Sequence, residues 1–220
     1  NIPTDTTFII NATGYTGVPN VDACEVEKQQ TIDGNVIYPL KLEINNPNTP
    51  ILHISSGCVY TGYHKDFTET DEPNFDFNNG SFYSGSKALQ QKLLEPYMNK
   101  SYLFRIRMPF ANERHPKNLF TKLENYKKLI DYPNSVSYVP DVARVVVYFA
   151  LNRPNFGIYN VCNPGYTSTR EIARMLGLRK EYFTPSEFSN SVIAPRSNCI
   201  LSTNKLQKVF PLMDAKTMIE

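Results

Sequence analysis

Four short apolar runs, separated by longer stretches with helical spacing, constrain the fold of this chain more than any other feature. The runs cover residues 7–11, 51–55, 102–107 and 157–161. The second run is apolar on both faces, as a central strand of a parallel sheet is when helices cover both of its sides. Strands that alternate with helices predict βαβ units. We therefore expect an α/β fold, with a Rossmann-type parallel sheet flanked by helices.

Helical spacing fills most of the sequence between these runs. The predicted helices run from residue 21 to 42, through 88–93 to Pro96, and over 119–127, 142–151 and 168–176. Pro39 is expected to kink the first of them, because proline lacks an N–H and clashes with the preceding turn. Ser168 and Glu171 form a capping box at the start of the last one. Residues 61–79 are predicted to be a polar loop with an acidic turn.

Composition excludes several classes of partner and site. The formal net charge is only +2 over 220 residues, with no basic arm, so nucleic-acid binding is not expected. No apolar run reaches the roughly 18–20 residues that a membrane-spanning helix needs. The four cysteines, at positions 24, 58, 162 and 199, fit neither a zinc pattern nor a disulfide framework. We expect a cytoplasmic protein with reduced thiols and no metal site.

Chemically suggestive residues follow the predicted strands, and ligands of parallel sheets bind at that edge. Ser56 ends the second strand, and Tyr83 and Lys87 share one helix face because they are four residues apart. A lysine ammonium beside a phenol lowers the pKa of the phenol. Such a phenol can donate a proton to a carbonyl oxygen while hydride reaches the carbon. The spacing is common by chance, but its position after a strand, a serine and an acidic loop with proline favours catalysis.

These residues and several segments carry a family resemblance. Asn11-Ala12-Thr13-Gly14, Ser55-Ser56 and Tyr83-x-x-x-Lys87 resemble the extended short-chain dehydrogenase/reductases. Within that family the sequence is similar to dTDP-4-dehydrorhamnose reductases, and more so to the nucleotide-rhamnose synthases of plants and giant viruses. The matching segments are 11–22, 57–60, 80–84, 105–109 and 194–198.

The resemblance implies a bifunctional enzyme of UDP-L-rhamnose biosynthesis. Its first step would be 3,5-epimerisation of UDP-4-keto-6-deoxy-D-glucose, and its second an NADPH-dependent reduction at C4, with NADH still open. Tyr83 would donate the proton, Lys87 would lower the pKa of Tyr83, and Ser56 would orient the carbonyl. Cys58 would be the base of the epimerisation, since a related epimerase/reductase has a catalytic cysteine at the matching place. Lys122 is the first candidate for the acid and His115 the second.

The resemblance also implies the binding residues. Those for the cofactor are Asn11, Ala12, Thr13, Gly14, Asn35, Tyr83, Lys87, Arg107, Met108 and Pro109. Those for the substrate are Tyr60, Arg196 and Asn198, with the Arg196 guanidinium suited to diphosphate oxygens. Residues 1–153 would form the cofactor domain, and residues 154–220 mainly a small substrate lobe.

One departure from the family is large. Family members open with a glycine-rich G-x-x-G-x-x-G loop that holds the cofactor pyrophosphate at a helix N-terminus. This sequence starts at what would be the fourth strand, so it would lack roughly 60–70 residues, or two to three βα units, of the family pattern. We expect either a fragment of a longer protein or an unusual form of the family.

Two other functions stay open at this stage. A simple 4-reductase acting on UDP- or dTDP-4-dehydrorhamnose would need Ser56, Tyr83 and Lys87 and leave Cys58 without a role. A binding or regulatory subunit on a reductase scaffold would need none of them. Cys58 could also be a small buried hydrophobe, which is common for cysteine. The resemblance further implies that two copies could pair through the helix that begins near Tyr83.

Overall fold

The computed structural model describes residues 2–219, which form short strands and helices around one parallel sheet. The strands are β1 (Ile9–Asn11), β2 (Ile51–Ser56), β3 (Gly62–Phe67), β4 (Tyr102–Ile106), β5 (Pro109–Phe110), β6 (Lys128–Leu129), β7 (Pro133–Asn134), β8 (Ser137–Tyr138), β9 (Gly157–Asn160), β10 (Thr167–Ser168), β11 (Glu181–Tyr182) and β12 (Cys199–Leu201). The helices are α1 (Lys28–Ile32), α2 (Tyr38–Asn45), α3 (Phe82–Leu94), α4 (Leu119–Asn125), α5 (Val139–Asn152), α6 (Thr169–Met175), α7 (Pro185–Ser191), α8 (Asn204–Gln207) and α9 (Ala215–Ile219).

The main sheet has the strand order β1-β2-β4-β9, and its strands are parallel. These are the four strands that the apolar runs predict, so the α/β class and the parallel sheet flanked by helices are confirmed. The carboxyl ends of β1, β2 and β4 lie along one edge of the sheet. Asn11, Ser56 and Arg107 stand at or just beyond those ends, and this edge carries the candidate site.

Aromatic side chains fill the core between the sheet and α5. Phe149 of α5 packs edge-on against Tyr102 and Phe104 of β4, with ring centroids 5.1 and 4.9 Å apart. Leu52 of β2 and Leu206 of α8 are buried in the same cluster. The C-terminal residues therefore pack on the main sheet, and β9, from the predicted substrate lobe, is one of its strands. The division at residue 153 stays a prediction.

Pro39 does not break the helical run that contains it. Residues Asp33–Ile37, between α1 and α2, form a π-helical turn immediately ahead of the proline. Pro39 lies in the first turn of α2, where its missing N–H costs little. The helical run therefore passes the proline through a π-turn, a feature that is frequent at functional sites.

The segment predicted as a polar loop contains a strand that the sequence pattern hides. β3 pairs in parallel with β12, which follows it by more than 130 residues. Its middle residues are exposed and polar, so the segment has no apolar alternation to mark it. The pairing brings residues 194–198 beside the turn that follows β2.

A second core lies under the C-terminal half. Leu123 of α4, Ile172 of α6 and Ile219 of α9 are buried together around Phe110. The capping box predicted at Ser168 and Glu171 is present. Across residues 2–219, no helix is long and apolar enough to cross a membrane.

Candidate active site at the carboxyl ends of the strands

Ser56, Tyr83 and Lys87 converge where β2 ends. Ser56 is the last residue of β2, and its hydroxyl accepts a hydrogen bond from the Cys58 N–H at 3.1 Å. Tyr83 and Lys87 lie in the first turns of α3, whose N-terminus Ser81 caps through the Ser84 N–H. The Lys87 ammonium is 6.0 Å from the centroid of the Tyr83 ring. Tyr83 and Lys87 are both more than nine-tenths buried, so the fold isolates them from bulk water.

Burial dominates the proton affinities of this pair. It raises the pKa of Tyr83 well above its ordinary value, and hydrogen bonding from Ser56 only partly opposes the increase. It lowers the pKa of Lys87 to about 8. Burial therefore sets the direction of the shift, and the lowering of the Tyr83 pKa by Lys87 stays a prediction. The phenol stays protonated near neutral pH, which is the form that donates a proton.

Cys58 has a charged partner that the sequence analysis did not identify. Arg107 Nη1 donates a hydrogen bond to Cys58 Sγ at 2.9 Å. The sequence assigns Arg107 only to a cofactor loop, since nothing in it indicates which side chain meets Cys58 across the sheet edge. The thiol is partly exposed while the guanidinium is buried. A partly exposed thiol beside a fixed cation is the environment of reactive cysteines.

Arg107 is held rigidly in this position. Its Nη2 donates to the Asn134 side-chain oxygen and to the Ser197 carbonyl, each at 2.5 Å. Asn134, which the sequence analysis did not single out, also accepts from the Cys199 N–H. The next residue, Met108, adopts a φ of 39°, a left-handed conformation that non-glycine residues rarely take. Such backbone strain concentrates at functional sites.

The structure separates the two candidates for the epimerisation acid. Burial lowers the pKa of Lys122, and the nearby charges of Lys117 and Arg196 add to the decrease. Cys58 also acts electrostatically on Lys122, so the two side chains share one neighbourhood. His115 lies in an exposed loop, and its Nδ1 accepts a hydrogen bond from the Lys117 N–H. Lys122 therefore remains the better candidate.

The loop after β1 forms a narrow cradle beside Lys87. The Asn35 side chain, fully buried in the π-turn, accepts from the Tyr15 N–H at 2.8 Å and donates to the Tyr15 carbonyl at 2.9 Å. A Cβ atom at Gly14 would lie 3.2 Å from Asn35 Oδ1 and 3.4 Å from Lys87 Nζ. Glycine thus keeps the backbone close to the lysine. Ala12 and Thr13 are exposed beside it.

Arg196 closes the opposite side of the site through an ion pair with Asp22. Its Nη1 and Nη2 donate to the two carboxylate oxygens of Asp22 at 2.8 and 2.9 Å. This hydrogen bonding holds the pKa of Asp22 below its ordinary value. Arg196 and Asn198 also line a cleft of about 420 Å³. Its other walls include Tyr63, Tyr132, Phe188 and Ile193.

Tyr60 does not reach this cleft. Its ring is fully buried, stacks on Phe67 with centroids 4.4 Å apart, and lies 5.1 Å from the Arg105 guanidinium carbon. Its hydroxyl donates to the Asp71 carbonyl at 2.5 Å. The prediction that Tyr60 binds substrate is wrong, because the side chain is part of the core beneath β3.

Comparison with known proteins shows the family to which the chain belongs. No family model matches the chain. A bifunctional dTDP-4-dehydrorhamnose 3,5-epimerase/dTDP-4-dehydrorhamnose reductase of Arabidopsis thaliana is 36% identical over 228 residues, covering 94% of this chain and 73% of the relative. The chain belongs to this epimerase/reductase family. It also matches a trifunctional dehydratase/epimerase/reductase of Arabidopsis thaliana at 36% identity, spanning only 33% of that protein.

Two solved structures of similar proteins have the same fold. The UDP-rhamnose synthase of Acanthamoeba polyphaga mimivirus superposes with a TM-score of 0.90 at 29% identity, covering 97% of this chain and 80% of that one. A dTDP-4-dehydrorhamnose reductase of Clostridium acetobutylicum superposes with a TM-score of 0.81 at 21% identity, covering 98% of this chain and 79% of that one. The resemblance to the nucleotide-rhamnose synthases is therefore confirmed.

Proposed function

We propose that this chain carries the epimerase/reductase site of nucleotide-rhamnose synthesis. The reaction would convert UDP-4-keto-6-deoxy-D-glucose to UDP-L-rhamnose. The observation that carries the proposal is the Arg107–Cys58 hydrogen bond of 2.9 Å beside Ser56, Tyr83 and Lys87. A 4-reductase needs only the serine, tyrosine and lysine. A thiol held against a guanidinium at the same strand end adds a base, which epimerisation requires.

In the epimerisation, Cys58 takes the proton from the carbon next to the C4 carbonyl. The electron pair moves onto the C4 oxygen and forms an enolate, which hydrogen bonds from Ser56 and Tyr83 stabilise. Lys122 returns a proton to the opposite face of the same carbon. Its lowered pKa makes that transfer easier, because the ammonium of a less basic amine gives up its proton more readily. Exchange with solvent then removes the proton from Cys58 and restores that of Lys122, and the step is repeated at the second carbon.

In the reduction, Tyr83 supplies the proton to the C4 oxygen. Burial keeps its phenol protonated until the carbonyl becomes basic. Lys87, 6.0 Å from the ring centroid, stabilises the phenolate that the transfer leaves behind. Ser56 orients the C4 carbonyl by a hydrogen bond to its oxygen. Both steps need the same oxygen stabilised, so one pocket serves both.

The residues around Gly14 fit the ribose and nicotinamide end of NADPH. Structures related to this chain include a dTDP-4-dehydrorhamnose reductase of Bacillus anthracis in complex with NADP. Gly14 lacks the Cβ that would fill the cradle formed by Asn35 and Lys87, and Thr13 is exposed beside it. Asn11, Ala12, Thr13, Asn35 and Lys87 would hold the cofactor, with Arg107, Met108 and Pro109 bordering it. When bound, NADPH supplies the hydride.

The cleft beside Arg196 suits the nucleotide part of the substrate. Tyr63, Tyr132 and Phe188 offer faces for a flat base, while Arg196 and Asn198 lie at the polar end. A neighbour of similar fold is described in complex with UDP-glucuronic acid and NAD. Because Asp22 pairs with Arg196, a diphosphate would have to share or displace that carboxylate.

The test is incorporation of solvent deuterium. The chain, with any preceding segment of its natural protein restored, is incubated with UDP-4-keto-6-deoxyglucose and NADPH in D₂O, and the product is analysed by NMR. We expect deuterium at C3 and C5 of a rhamnosyl product. Cys58→Ala should abolish both, with Cys24→Ala as the matched cysteine control. Cys58→Ala should still reduce a sugar that is already epimerised.

Two outcomes would favour the other functions. If Cys58→Ala gives the same deuterated product, Cys58 is not the base and another residue removes the protons. If the wild-type chain reduces an already epimerised sugar but incorporates no deuterium from the keto sugar, it is a simple 4-reductase. If the wild-type chain shows neither exchange nor turnover, the reductase scaffold serves binding or regulation. We also propose that two copies of the chain form a homodimer through α3, and light scattering would measure the molar mass that tests it. A cytoplasmic location is proposed as well, and fluorescence microscopy of a tagged protein would test it.

A further inference from the structure

A row of hydrogen-bonded polar side chains runs beneath the sheet to the loop after β1. Asn11 Nδ2 lies 3.0 Å from His53 Nδ1, and His53 Nε2 lies 3.0 Å from Glu43 Oε1. Lys100 Nζ contacts Glu43 Oε2 at 2.5 Å. His53 and Glu43 are fully buried, and Asn11 is nearly so. The proposed reaction steps use neither His53 nor Glu43, although a buried carboxylate and imidazole are costly to retain.

The hydrogen bond from the Thr13 N–H to Asn11 determines the direction of the hydrogen bonds that follow in this row. The Thr13 backbone N–H, which can only donate, lies 3.1 Å from the Asn11 side chain, so the Asn11 atom there must be the oxygen. The amide nitrogen of Asn11 therefore faces His53 and donates to Nδ1. An imidazole that accepts at Nδ1 carries its proton on Nε2. That proton points at Glu43.

The far end of the row imposes the same direction. Lys100 can only donate, and Glu43 accepts from it on one oxygen and from His53 on the other. Although burial works against its charge, hydrogen bonds from His53 and Lys100 hold the pKa of Glu43 below its ordinary value. An ionised carboxylate accepts only, so it demands the Nε2–H tautomer of His53. Both ends thus agree on one arrangement.

The arrangement decides what Thr13 offers to a ligand. The Thr13 hydroxyl lies 2.6 Å from the same Asn11 oxygen and donates its only proton to it. Its remaining lone pairs are then free, and the residue is exposed at the end of β1. A hydroxyl in this state accepts hydrogen bonds and donates none outward. A ribose hydroxyl is a donor that matches it.

We infer that Glu43 and His53 are positioning residues that fix Thr13 as an acceptor for a hydroxyl group of the bound dinucleotide. The inference rests on the proposed function for the identity of the ligand. Its structural part, the polarity of the row, stands on the hydrogen bonds alone. Neither residue touches the ligand, and both act through Asn11.

One isosteric substitution should reverse the whole row. In Glu43→Gln, Lys100 still requires an oxygen, so the new side-chain amide turns its nitrogen towards His53. His53 must then accept at Nε2 and carry its proton on Nδ1. Asn11 has to rotate its amide to present oxygen to His53, which leaves its nitrogen facing the two Thr13 donors. Thr13 loses its acceptor, and the loop loses its fixed conformation.

The experiment reads the tautomer of His53 and the affinity for NADPH in the same samples. Proton–nitrogen correlation spectra of the imidazole ring should show Nε2–H in the wild-type chain and Nδ1–H in Glu43→Gln. The Kd for NADPH should rise about tenfold, the cost of one lost hydrogen bond. Asp131→Asn, the same change in the separate Asp131–Arg170 pair, should alter neither. An Nε2–H tautomer in Glu43→Gln overturns the inference.

A second variant covers the case in which Glu43→Gln does not fold. Asn11→Asp keeps an acceptor for Thr13 and leaves Glu43 unchanged, so His53 should keep its proton on Nε2. A His53 that carries a proton on Nδ1 alone in that variant overturns the inference. If the wild-type chain shows the Nε2–H tautomer but binds no NADPH, the proposed function fails at this loop. If it binds NADPH and Glu43→Gln reverses the tautomer without changing Kd, the positioning role fails instead.

Discussion

At the residue scale, Lys122 and His115 can be told apart by substitution. Lys122→Met should reduce deuterium exchange at C3 and C5 by about 10²–10⁴-fold, the usual contribution of a general acid. His115→Gln, in the exposed loop, should leave exchange within about twofold, since a substitution outside the site has little effect. Exchange is measured by NMR on the keto sugar without NADPH. Loss of exchange in His115→Gln alone would reverse the assignment.

The buried charge of Lys87 is predicted to lower the free energy of unfolding of the chain. Burial lowers its pKa to about 8 from an ordinary 10.5, so the unfolded chain binds more protons between these values. The destabilisation by Lys87 is therefore complete below pH 8. It decreases as pH rises from 8 to 10.5, so the free energy of unfolding increases over that range. Lys87→Met should stabilise the chain at pH 7 by about 3 kcal/mol.

Urea denaturation at pH 7 and at about pH 10.5 measures this difference. The stabilisation by Lys87→Met should shrink towards zero at the higher pH, where the lysine no longer carries a buried charge. Lys92→Met, which replaces an exposed lysine of the same helix, should change stability by less than about 0.5 kcal/mol at either pH. A Lys87→Met variant that is less stable than wild type at pH 7 would contradict the prediction.

Single residues also show where sequence reasoning stops. Ser56, Tyr83 and Lys87 were predictable because short spacings along one strand end and one helix determine their proximity. The Arg107–Cys58 contact was not, because 49 residues separate its members and only the sheet register brings them together. Tyr60 was misread for the opposite reason. It sits one residue after a site turn, but β3 covers its ring.

At the element scale, the N-cap of α3 links helix stability to chemistry. Ser81 Oγ accepts from the Ser84 N–H at 3.0 Å and donates to Ser84 Oγ at 2.9 Å. Ser81→Ala should cost about 1 kcal/mol of unfolding free energy. Because Tyr83 and Lys87 occupy the first turns of this helix, fraying there should also lower the rate of C4 reduction.

Ser168→Ala provides the matched control at another helix. Ser168 caps α6 through the Glu171 N–H, far from the proposed chemistry. It should lower Tm by about 2–4 °C, as Ser81→Ala should, while leaving the rate of C4 reduction unchanged. Calorimetry and stopped-flow absorbance of NADPH measure the two quantities. Equal effects of both variants on the rate would show that α3 is not specially coupled to catalysis.

The elements divide into those that local pattern encodes and those that distant contacts create. The four sheet strands and α5 carry strong apolar periodicity and were predictable. β3 carries none, because its polar residues face water and its pairing with β12 supplies the hydrogen bonds. The π-turn at Asp33–Ile37 is likewise invisible in the sequence. Pro39 signals a disturbance of the helix there, but not the geometry that resolves it.

At the scale of the whole molecule, buried charges join parts of the chain that are distant in sequence. Glu43 and Lys100 tie α2 to the segment before β4, and Asp22 and Arg196 tie the N-terminal region to the loop before β12. The first pair is buried on the carboxylate side, whereas the second is partly exposed. Removing one member of a buried pair costs far more than breaking an exposed one. Global stability should therefore depend on Glu43 more than on Asp22.

Acid should unfold the chain partly through Glu43. Its folded-state pKa lies below the ordinary value of 4.5, because hydrogen bonds from His53 and Lys100 outweigh the burial penalty. Its contribution is present above pH 4.5 and is lost as pH falls through the folded value. Glu43→Gln should be less stable than wild type at pH 7 by about 3 kcal/mol. Chemical denaturation from about pH 3 to 7 should show the two curves converging below the ordinary pKa, since only the wild type has this proton to take up. Curves that stay parallel over that range would mean that folding does not shift the pKa of Glu43. A wild type that gains stability relative to Glu43→Gln as pH falls would mean that Glu43 is neutral in the folded chain.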